Sequence, residues 1–114
     1  MKKIVLVAAL IGLAMVLSTS VFAQKSVEEA IRNRVKQYVA AYNAGDADAV
    51  AAIYATDGTH TYALGFTHRG RTEIAKGLKE QFAGPMKGTS ISITPLHIRA
   101  ISSQIAVEEA SFVV

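Results

Sequence analysis

The spacing of hydrophobic residues along the chain predicts the order of its elements. From Val27 to Tyr42, apolar side chains recur at helical spacing and charged side chains occupy the opposite face. Ser26 and Glu29 have the spacing of a capping box, in which a hydroxyl and a carboxylate bond to free amides at the start of a helix. These features predict an amphipathic helix that begins at Ser26.

A tight corner and a small hairpin are predicted next. Asn43-Ala44-Gly45 can end the first helix, because glycine tolerates the left-handed conformation that often follows a helix. Asp46 can then cap a second, alanine-rich helix. After the turn signal Asp57-Gly58, two short β-prone runs predict a hairpin, formed by residues 59–62 and 66–69.

The second half of the chain predicts one more helix and two strands. Apolar residues recur at every fourth position from about Thr72 to Phe82, and Gly84-Pro85 ends this helix. Residues 88–114 are rich in Ile, Val, Thr and Ser, with a break near Ser102-Ser103, which is typical of two long antiparallel strands. The predicted order is ααββαββ, a mixed α+β fold.

The first long strand changes its hydrophobic phase. Ile91 and Ile93 share one phase, whereas Leu96 and Ile98 have the other, so the switch falls at Pro95. Proline has no amide for a ladder hydrogen bond, and a bulge at that point would bend the strand. We therefore expect a curved sheet and expect His97 to face away from the core.

The N-terminal segment has the three parts of a secretory signal peptide. Lys2 and Lys3 precede an apolar run over residues 4–17, and the small residues Val21 and Ala23 stand near a cleavage point. The run is shorter than the roughly 20 residues that span a membrane. We predict a signal peptide over residues 1–23 that is cleaved after Ala23, and a periplasmic or secreted domain over residues 24–114 with no membrane attachment.

Charge and composition exclude several classes of partner and cofactor. Removing Lys2 and Lys3 lowers the formal net charge from +3 to +1, so nucleic acid is not an expected partner. The absence of cysteine excludes disulfides and a thiolate nucleophile. No His/Asp/Glu spacing indicates a metal site and no Gly-x-Gly-x-x-Gly motif indicates a dinucleotide site. We predict neither a metal nor a cofactor.

His60 and Tyr62 are the first candidates for chemistry. Side chains alternate along a strand, so both residues point to the same face of the first short strand. If that face lines a cavity, the imidazole could exchange a proton with a ligand and the phenol could donate a hydrogen bond to an oxyanion. The alternative is that both are partly exposed strand residues. His68 is expected at the surface.

Glu108 and Glu109 are adjacent residues of the last strand and therefore face opposite sides of it. One carboxylate points inward if the strand is central, and burial would raise its pKa and make it a candidate general base. Both are solvated if the strand lies at an edge. The sequence leaves open which glutamate faces inward.

Several segments resemble the nuclear transport factor 2-like superfamily, also called SnoaL-like or cystatin-like cones. Residues 38–46 resemble its helix-to-helix corner and residues 53–58 resemble the entry to its first strand. Residues 69–71 and 82–89 resemble the SgcJ/EcaC subgroup. This resemblance implies an antiparallel sheet curved around the N-terminal helix and a homodimer formed through the sheet face.

The resemblance also implies two further strands after Val114. Residues 111–114 have the pattern of mid-strand residues, with no turn or polar tail. We therefore expect a C-terminally truncated domain, because an unpaired apolar edge strand favours aggregation. The alternative is a partner that supplies the missing edge.

Ketosteroid isomerases share this cone, and Tyr38 occupies the position of their oxyanion-binding tyrosine. Their carboxylate base corresponds to Tyr62 and their second acidic donor would lie beyond Val114, so the resemblance does not imply steroid isomerisation. SgcJ/EcaC proteins are often called oxidoreductases, but no redox motif in this sequence supports that activity.

Two functions remain, with a third as a further alternative. The first is an exported protein that binds a small apolar or aromatic molecule in its cavity, and the second is a cofactor-independent acid/base enzyme in the manner of SnoaL-like cyclases. The third is a dimerisation module without catalysis. The candidate ligand-binding residues are Tyr38, Tyr42, His60, Tyr62, Phe82 and Glu108. The candidate catalytic residues are His60, Tyr62 and Glu109.

Overall fold

A computed structural model describes the backbone of residues 2–114 and the side chains of residues 21–114. It contains three helices and four strands over this range: α1 (Lys2–Asn43), α2 (Ala47–Ile53), β1 (Thr59–Thr61), β2 (Thr67–Arg69), α3 (Arg71–Ala83), β3 (Ser92–Ala100) and β4 (Ala106–Val113). The predicted element order and the mixed α+β class are confirmed.

The chain divides into two units. The first consists of Met1–Arg32 and Pro95–Glu109, and the second consists of Asn33–Thr94 and Ala110–Val114. The second unit therefore contains the C-terminal end of α1, all of α2 and α3, and the β1–β2 hairpin.

The predicted start of the first helix at Ser26 is wrong. The chain is already helical at Val21, and the helix continues without a break through Ser26 to Asn43. No glycine or proline stands between Val21 and Ser26, so nothing interrupts the ladder of backbone hydrogen bonds. Ser26 is therefore an interior helix residue with no free amide to cap.

The predicted signal peptide covers residues 1–23, and the side chains of its first 20 residues lie outside the described part of the chain. Within the described part, no helix combines the length and apolarity needed to cross a membrane. The cleavage site after Ala23 stays a prediction.

The corner between α1 and α2 has the predicted form. Gly45 adopts a positive φ of 68°, which is strained for a residue with a Cβ. The Asp46 carboxylate accepts a hydrogen bond of 2.9 Å from the Ala49 amide and so caps α2. The Asn43 side chain exchanges two hydrogen bonds with the backbone of Ile91, of 2.7 and 3.1 Å, and ties the end of α1 to the start of β3.

The core of the second unit lies among α1, α2 and α3. Val50 on α2 and Ile74 and Leu78 on α3 are fully buried, as the helical spacing predicts. The other buried members of this cluster come from α1, from α2 and from the residue before β3: Tyr42, Ala47, Ala51 and Ile91. Each fully buried aliphatic side chain contributes about 1.5–3 kcal/mol of transfer free energy.

The strands form two separate two-stranded sheets among the described residues. β1 and β2 are antiparallel, with His60 opposite His68 in the register. β3 and β4 pair with each other, and the connection between them carries a hydrogen bond of 2.7 Å from the Ile101 amide to the Ile105 carbonyl.

The predicted phase of β3 is partly wrong. Pro95 is half-buried like Ile93, whereas Leu96 is 53% exposed and His97 is exposed beside it. The change of phase therefore falls across Leu96 and His97, beyond the proline. Its physical reason is that Pro95 needs no ladder hydrogen bond and can continue the inward phase of the strand. The expected exposure of His97 is confirmed.

Candidate functional site

Tyr54 and His60 form the shortest polar contact of the described side chains. Tyr54 follows directly after α2, and His60 is the central residue of β1. The Tyr54 hydroxyl lies 2.5 Å from Nδ1 of His60, and the two rings meet edge to face at 5.6 Å. The phenol and the imidazole can therefore exchange a proton.

Tyr62 continues this cluster on the predicted face. Its ring centroid lies 4.3 Å from that of His60 and 5.4 Å from that of His68, so the phenol ring stands against both imidazoles. Its hydroxyl oxygen is excluded from solvent and has no hydrogen-bond partner among residues 21–114. The prediction that His60 and Tyr62 share a face is confirmed.

His68 is half-buried, so its expected position at the surface is wrong. The hairpin register places it opposite His60, and its ring is packed against Gly77 of α3. The sequence could not show this contact because it joins residues of two different elements, β2 and α3, whose packing no local pattern specifies.

Tyr38, Tyr42 and Phe82 connect the cluster to the core. The rings of Tyr38 and Tyr42 stack at 6.2 Å, and Tyr42 meets Phe82 edge to face at 5.0 Å. Tyr42 is buried, and Tyr38 and Phe82 pack against the core. These three predicted ligand-binding residues are thus core aromatics, and their role in ligand binding stays a prediction.

Burial keeps His60 and the neighbouring tyrosines uncharged near neutral pH. Burial lowers the pKa of His60, and the neighbouring His68 lowers it further. Burial also raises the pKa values of Tyr38, Tyr54 and Tyr62. Tyr42 and Glu80 add to the rise at Tyr62 by electrostatic repulsion of its anion. The imidazole of His60 and the three phenols are therefore neutral at pH 7.

The structure shows which of Glu108 and Glu109 faces inward. Glu108 is half-buried, its Oε1 atom has no hydrogen-bond partner among the described residues, and Glu109 is exposed. Burial raises the pKa of Glu108, and the nearby Arg32 partly opposes that rise. Both glutamates belong to the first unit, and Glu109, the predicted catalytic carboxylate, lies on its solvent side.

Within residues 21–114 no group of three or more His, Cys, Asp or Glu side chains has the geometry of a metal site. A surface depression of about 570 Å³ lies between α2 and α3. Alanines from both helices line it together with charged residues, among which Lys79 forms an ion pair of 2.9 Å with Asp48. It is lined by none of the predicted site residues.

Tyr54 was missed as a site residue. The sequence places it at the end of an apolar helical pattern, which by itself does not indicate a polar contact. A tyrosine in the last turn before Asp57-Gly58 could have signalled a polar tip directed toward the following strand, because tyrosine buries its ring and needs a partner for its hydroxyl.

Comparison with known proteins identifies the domain. Residues 35–112 match the sequence profile described as SnoaL-like domain. No curated protein matches the chain.

Two crystal structures have a similar fold. One is a domain of unknown function with a cystatin-like fold from Nostoc punctiforme PCC 73102, with a TM-score of 0.72 and 28% identity over 76% of this chain and 54% of that one. The other is named "Putative Scytalone Dehydratase" and comes from Novosphingobium aromaticivorans DSM 12444, with a TM-score of 0.71 and 22% identity over 81% of this chain and 61% of that one. The chain thus spans less than two thirds of either protein.

The profile match covers more than half of the chain, and the cystatin-like neighbour confirms the predicted fold class. The chain therefore belongs to the SnoaL-like domain family of the nuclear transport factor 2-like superfamily.

Proposed function

We propose that this chain is an exported SnoaL-like domain that binds a small, mainly apolar or aromatic molecule carrying a neutral oxygen substituent. The observation that carries the proposal is the Tyr62 hydroxyl, which is buried and has no partner among the described residues. A buried hydroxyl without a partner is costly, and a ligand oxygen would provide the missing hydrogen bond.

The surroundings of Tyr62 favour an aromatic ligand. His60 and His68 present ring faces and edges beside the phenol, and Tyr42 and Phe82 form an apolar aromatic pair. Ligand pockets commonly combine such apolar walls with a few polar anchors.

The electrostatics favour a neutral ligand. His60 is uncharged at pH 7 and the tyrosines keep their protons, so these side chains offer no formal charge to an anion or a cation. A neutral hydroxyl can still donate or accept one hydrogen bond at Tyr62, and a neutral carbonyl can accept one.

Binding of 4-ethylphenol and ethylbenzene, measured by calorimetry, tests this proposal. We expect 4-ethylphenol to bind up to about tenfold more tightly, since one net hydrogen bond contributes ~0.5–1.5 kcal/mol. Tyr62→Phe should remove this preference and leave ethylbenzene binding intact. Thr59→Val, which removes an exposed hydroxyl from β1, the strand just before Tyr62, serves as the matched control. Equal affinity of the wild type for both compounds, or binding of neither, would contradict the proposal.

The Tyr54–His60 contact favours a second candidate function, cofactor-independent acid/base catalysis. When the Tyr54 hydroxyl donates to Nδ1, the proton of the imidazole stands on Nε2 and can be given to a substrate. In the opposite tautomer, Nε2 is free to accept a proton. The short contact and the neutral imidazole support a proton-transfer role for His60.

Exchange of the α-protons of 2-tetralone in heavy water, followed by NMR, tests this second function. We expect His60→Asn to slow protein-catalysed exchange by about 100-fold or more, whereas His97→Asn, at an exposed histidine, should not change it. The rate should fall only below about pH 6.5, because the lowered pKa of His60 keeps its base form present down to that pH. Exchange that is insensitive to His60 would exclude this role.

Export and membership of the SgcJ/EcaC subgroup complete the proposal. The N-terminal pattern of residues 1–23 supports export, and residues 69–71 and 82–89 support the subgroup. The mass of the protein recovered from a bacterial periplasm tests export, with Gln24 expected as its first residue. By resemblance to the superfamily, we also propose a homodimer as the functional form.

A further inference from the structure

Gly77 is a buried glycine in the interior of α3. Glycine is the least favourable residue in a helix interior after proline, so a gain elsewhere must offset its use at this position. The gain lies in the space it leaves: a Cβ atom at Gly77 would stand 2.9 Å from Nε2, 3.0 Å from Cε1 and 3.1 Å from Cδ2 of His68.

The three ring atoms are at nearly equal distances from that position, so the side of the imidazole that carries Nε2 rests directly on the backbone of α3. Cβ atoms essentially never approach other heavy atoms within 3.0 Å, and a ring on a short side chain cannot move aside as the end of a lysine can. Any residue other than glycine at position 77 therefore displaces His68.

His68 in turn borders Tyr62. The His68 and Tyr62 rings are nearly perpendicular, at 89°, with centroids 5.4 Å apart. His60 stands against Tyr62 at 4.3 Å and is the register partner of His68 in the hairpin. Tyr62 follows β1 directly, and its backbone amide donates to the Phe66 carbonyl while its own carbonyl accepts from the Gly65 amide across the turn. The turn therefore fixes the backbone of Tyr62, and the two imidazoles flank its ring and limit the ring's orientation.

We propose that His68 and Gly77 are positioning residues of the candidate site: Gly77 seats the His68 imidazole, and His68 orients the Tyr62 ring and its hydroxyl. The effect of this arrangement on ligand binding rests on the proposed function, whereas the packing of His68 on Gly77 does not. The inference assigns a role to a helix glycine and to a histidine that the hairpin sequence alone placed at the surface.

A double-mutant cycle on the purified protein tests the seating. Gly77→Ala should lower the midpoint of thermal unfolding by about 5 °C or more, because the new methyl overpacks the site. In the His68→Ala background the same change should raise the midpoint, because only the higher helix propensity of alanine then remains. Lys76→Ala, on the exposed side of α3, is the matched control and should behave alike in both backgrounds.

The opposite effects of Gly77→Ala in the two backgrounds decide the outcome, even where the Gly77→Ala protein alone does not fold. A Gly77→Ala protein that is unfolded alone but folded together with His68→Ala supports the proposal. Gly77→Ala that stabilises the wild type, or that destabilises both backgrounds equally, overturns it.

Two further measurements separate positioning from general stability. In the folded Gly77→Ala protein, the NMR signals of the His68 ring should shift, because the ring moves away from Tyr62 and from the ring current of that phenol. The preference for 4-ethylphenol over ethylbenzene should fall while ethylbenzene affinity stays the same. A wild type with no such preference refutes the proposed function alone, whereas unmoved His68 signals refute the seating.

Discussion

His60, Tyr54 and Tyr62 of the second unit keep their neutral forms at pH 7. Burial acts in opposite directions on the two residue types, lowering the pKa of His60 and raising the pKa values of Tyr54 and Tyr62, because it disfavours the charged form of each. A set of neutral donors and acceptors is suited to proton exchange and to neutral ligands.

Glu108 and Glu109 permit a prediction with an internal control. Burial raises the pKa of Glu108 above that of the unfolded chain, so the folded state prefers the protonated carboxyl. Stability from this preference is present below about pH 4.5 and is lost as the pH rises through the folded-state pKa. Glu108→Gln should therefore increase the free energy of unfolding at pH 7 by about 1 kcal/mol, a low value because the residue is only partly buried.

Urea unfolding at pH 7 and at pH 4 measures this difference. The gain of Glu108→Gln should vanish at pH 4, and the exposed Glu109→Gln should change stability at neither pH. Equal effects of the two substitutions at pH 7 would show that Glu108 is as well solvated as its neighbour.

Individual residues differ in how far their sequence context predicted them. His60 and Tyr62 share a face because side chains alternate along an extended chain, so that residues two positions apart point to the same side. The environment of His68 depends on Gly77, nine positions later in another element, and no local rule connects them. Tyr54 joins the site only because the turn after α2 brings β1 back toward the helix end.

At the scale of elements, turn and cap signals set the boundaries. The corner at residues 44–46 was predicted because glycine and aspartate have specific backbone and hydrogen-bonding roles there. The capping box at Ser26 and Glu29 failed, since the helix does not begin there and its backbone amides already have partners. A cap motif marks a helix end only where the preceding residues leave the helix.

The Asp46 cap is open to direct test. Asp46→Ala removes the hydrogen bond to the Ala49 amide and should lower the free energy of unfolding by about 0.5–2 kcal/mol. Asp46→Asn keeps an acceptor oxygen in the same place and should retain most of the stability. Urea unfolding curves of both variants measure the difference, and equal losses would mean that the charge of Asp46, rather than its hydrogen bond, stabilises the corner.

At the scale of the whole molecule, the homodimer proposed by resemblance leads to a size measurement. Leu96 on β3 is 53% exposed, whereas Leu64 in the hairpin turn is 85% exposed. If dimers form through the sheet face, light scattering after size exclusion should give the dimer mass for the wild type and for Leu64→Asp. Leu96→Asp should give the monomer mass, because a buried charge without a partner is unfavourable.

A wild type with the monomer mass would exclude the dimer. A Leu96→Asp protein that keeps the dimer mass would place the interface away from the outer face of β3.

Local patterns sufficed for the α+β class, the order ααββαββ and the helix positions that form the core. Each of these depends on residue spacing or on backbone preferences, which act between neighbours along the chain. Val50, Ile74 and Leu78 are buried as their helical spacing predicted.

The composition of the site was decided only by tertiary structure. Burial of the Tyr62 hydroxyl, the seat of His68 on Gly77 and the choice of Glu108 over Glu109 as the inward carboxylate all depend on contacts between separate elements. Burial decides the protonation state of these groups and whether their hydrogen bonds are satisfied. Burial depends on how separate elements pack together, which local sequence patterns do not specify.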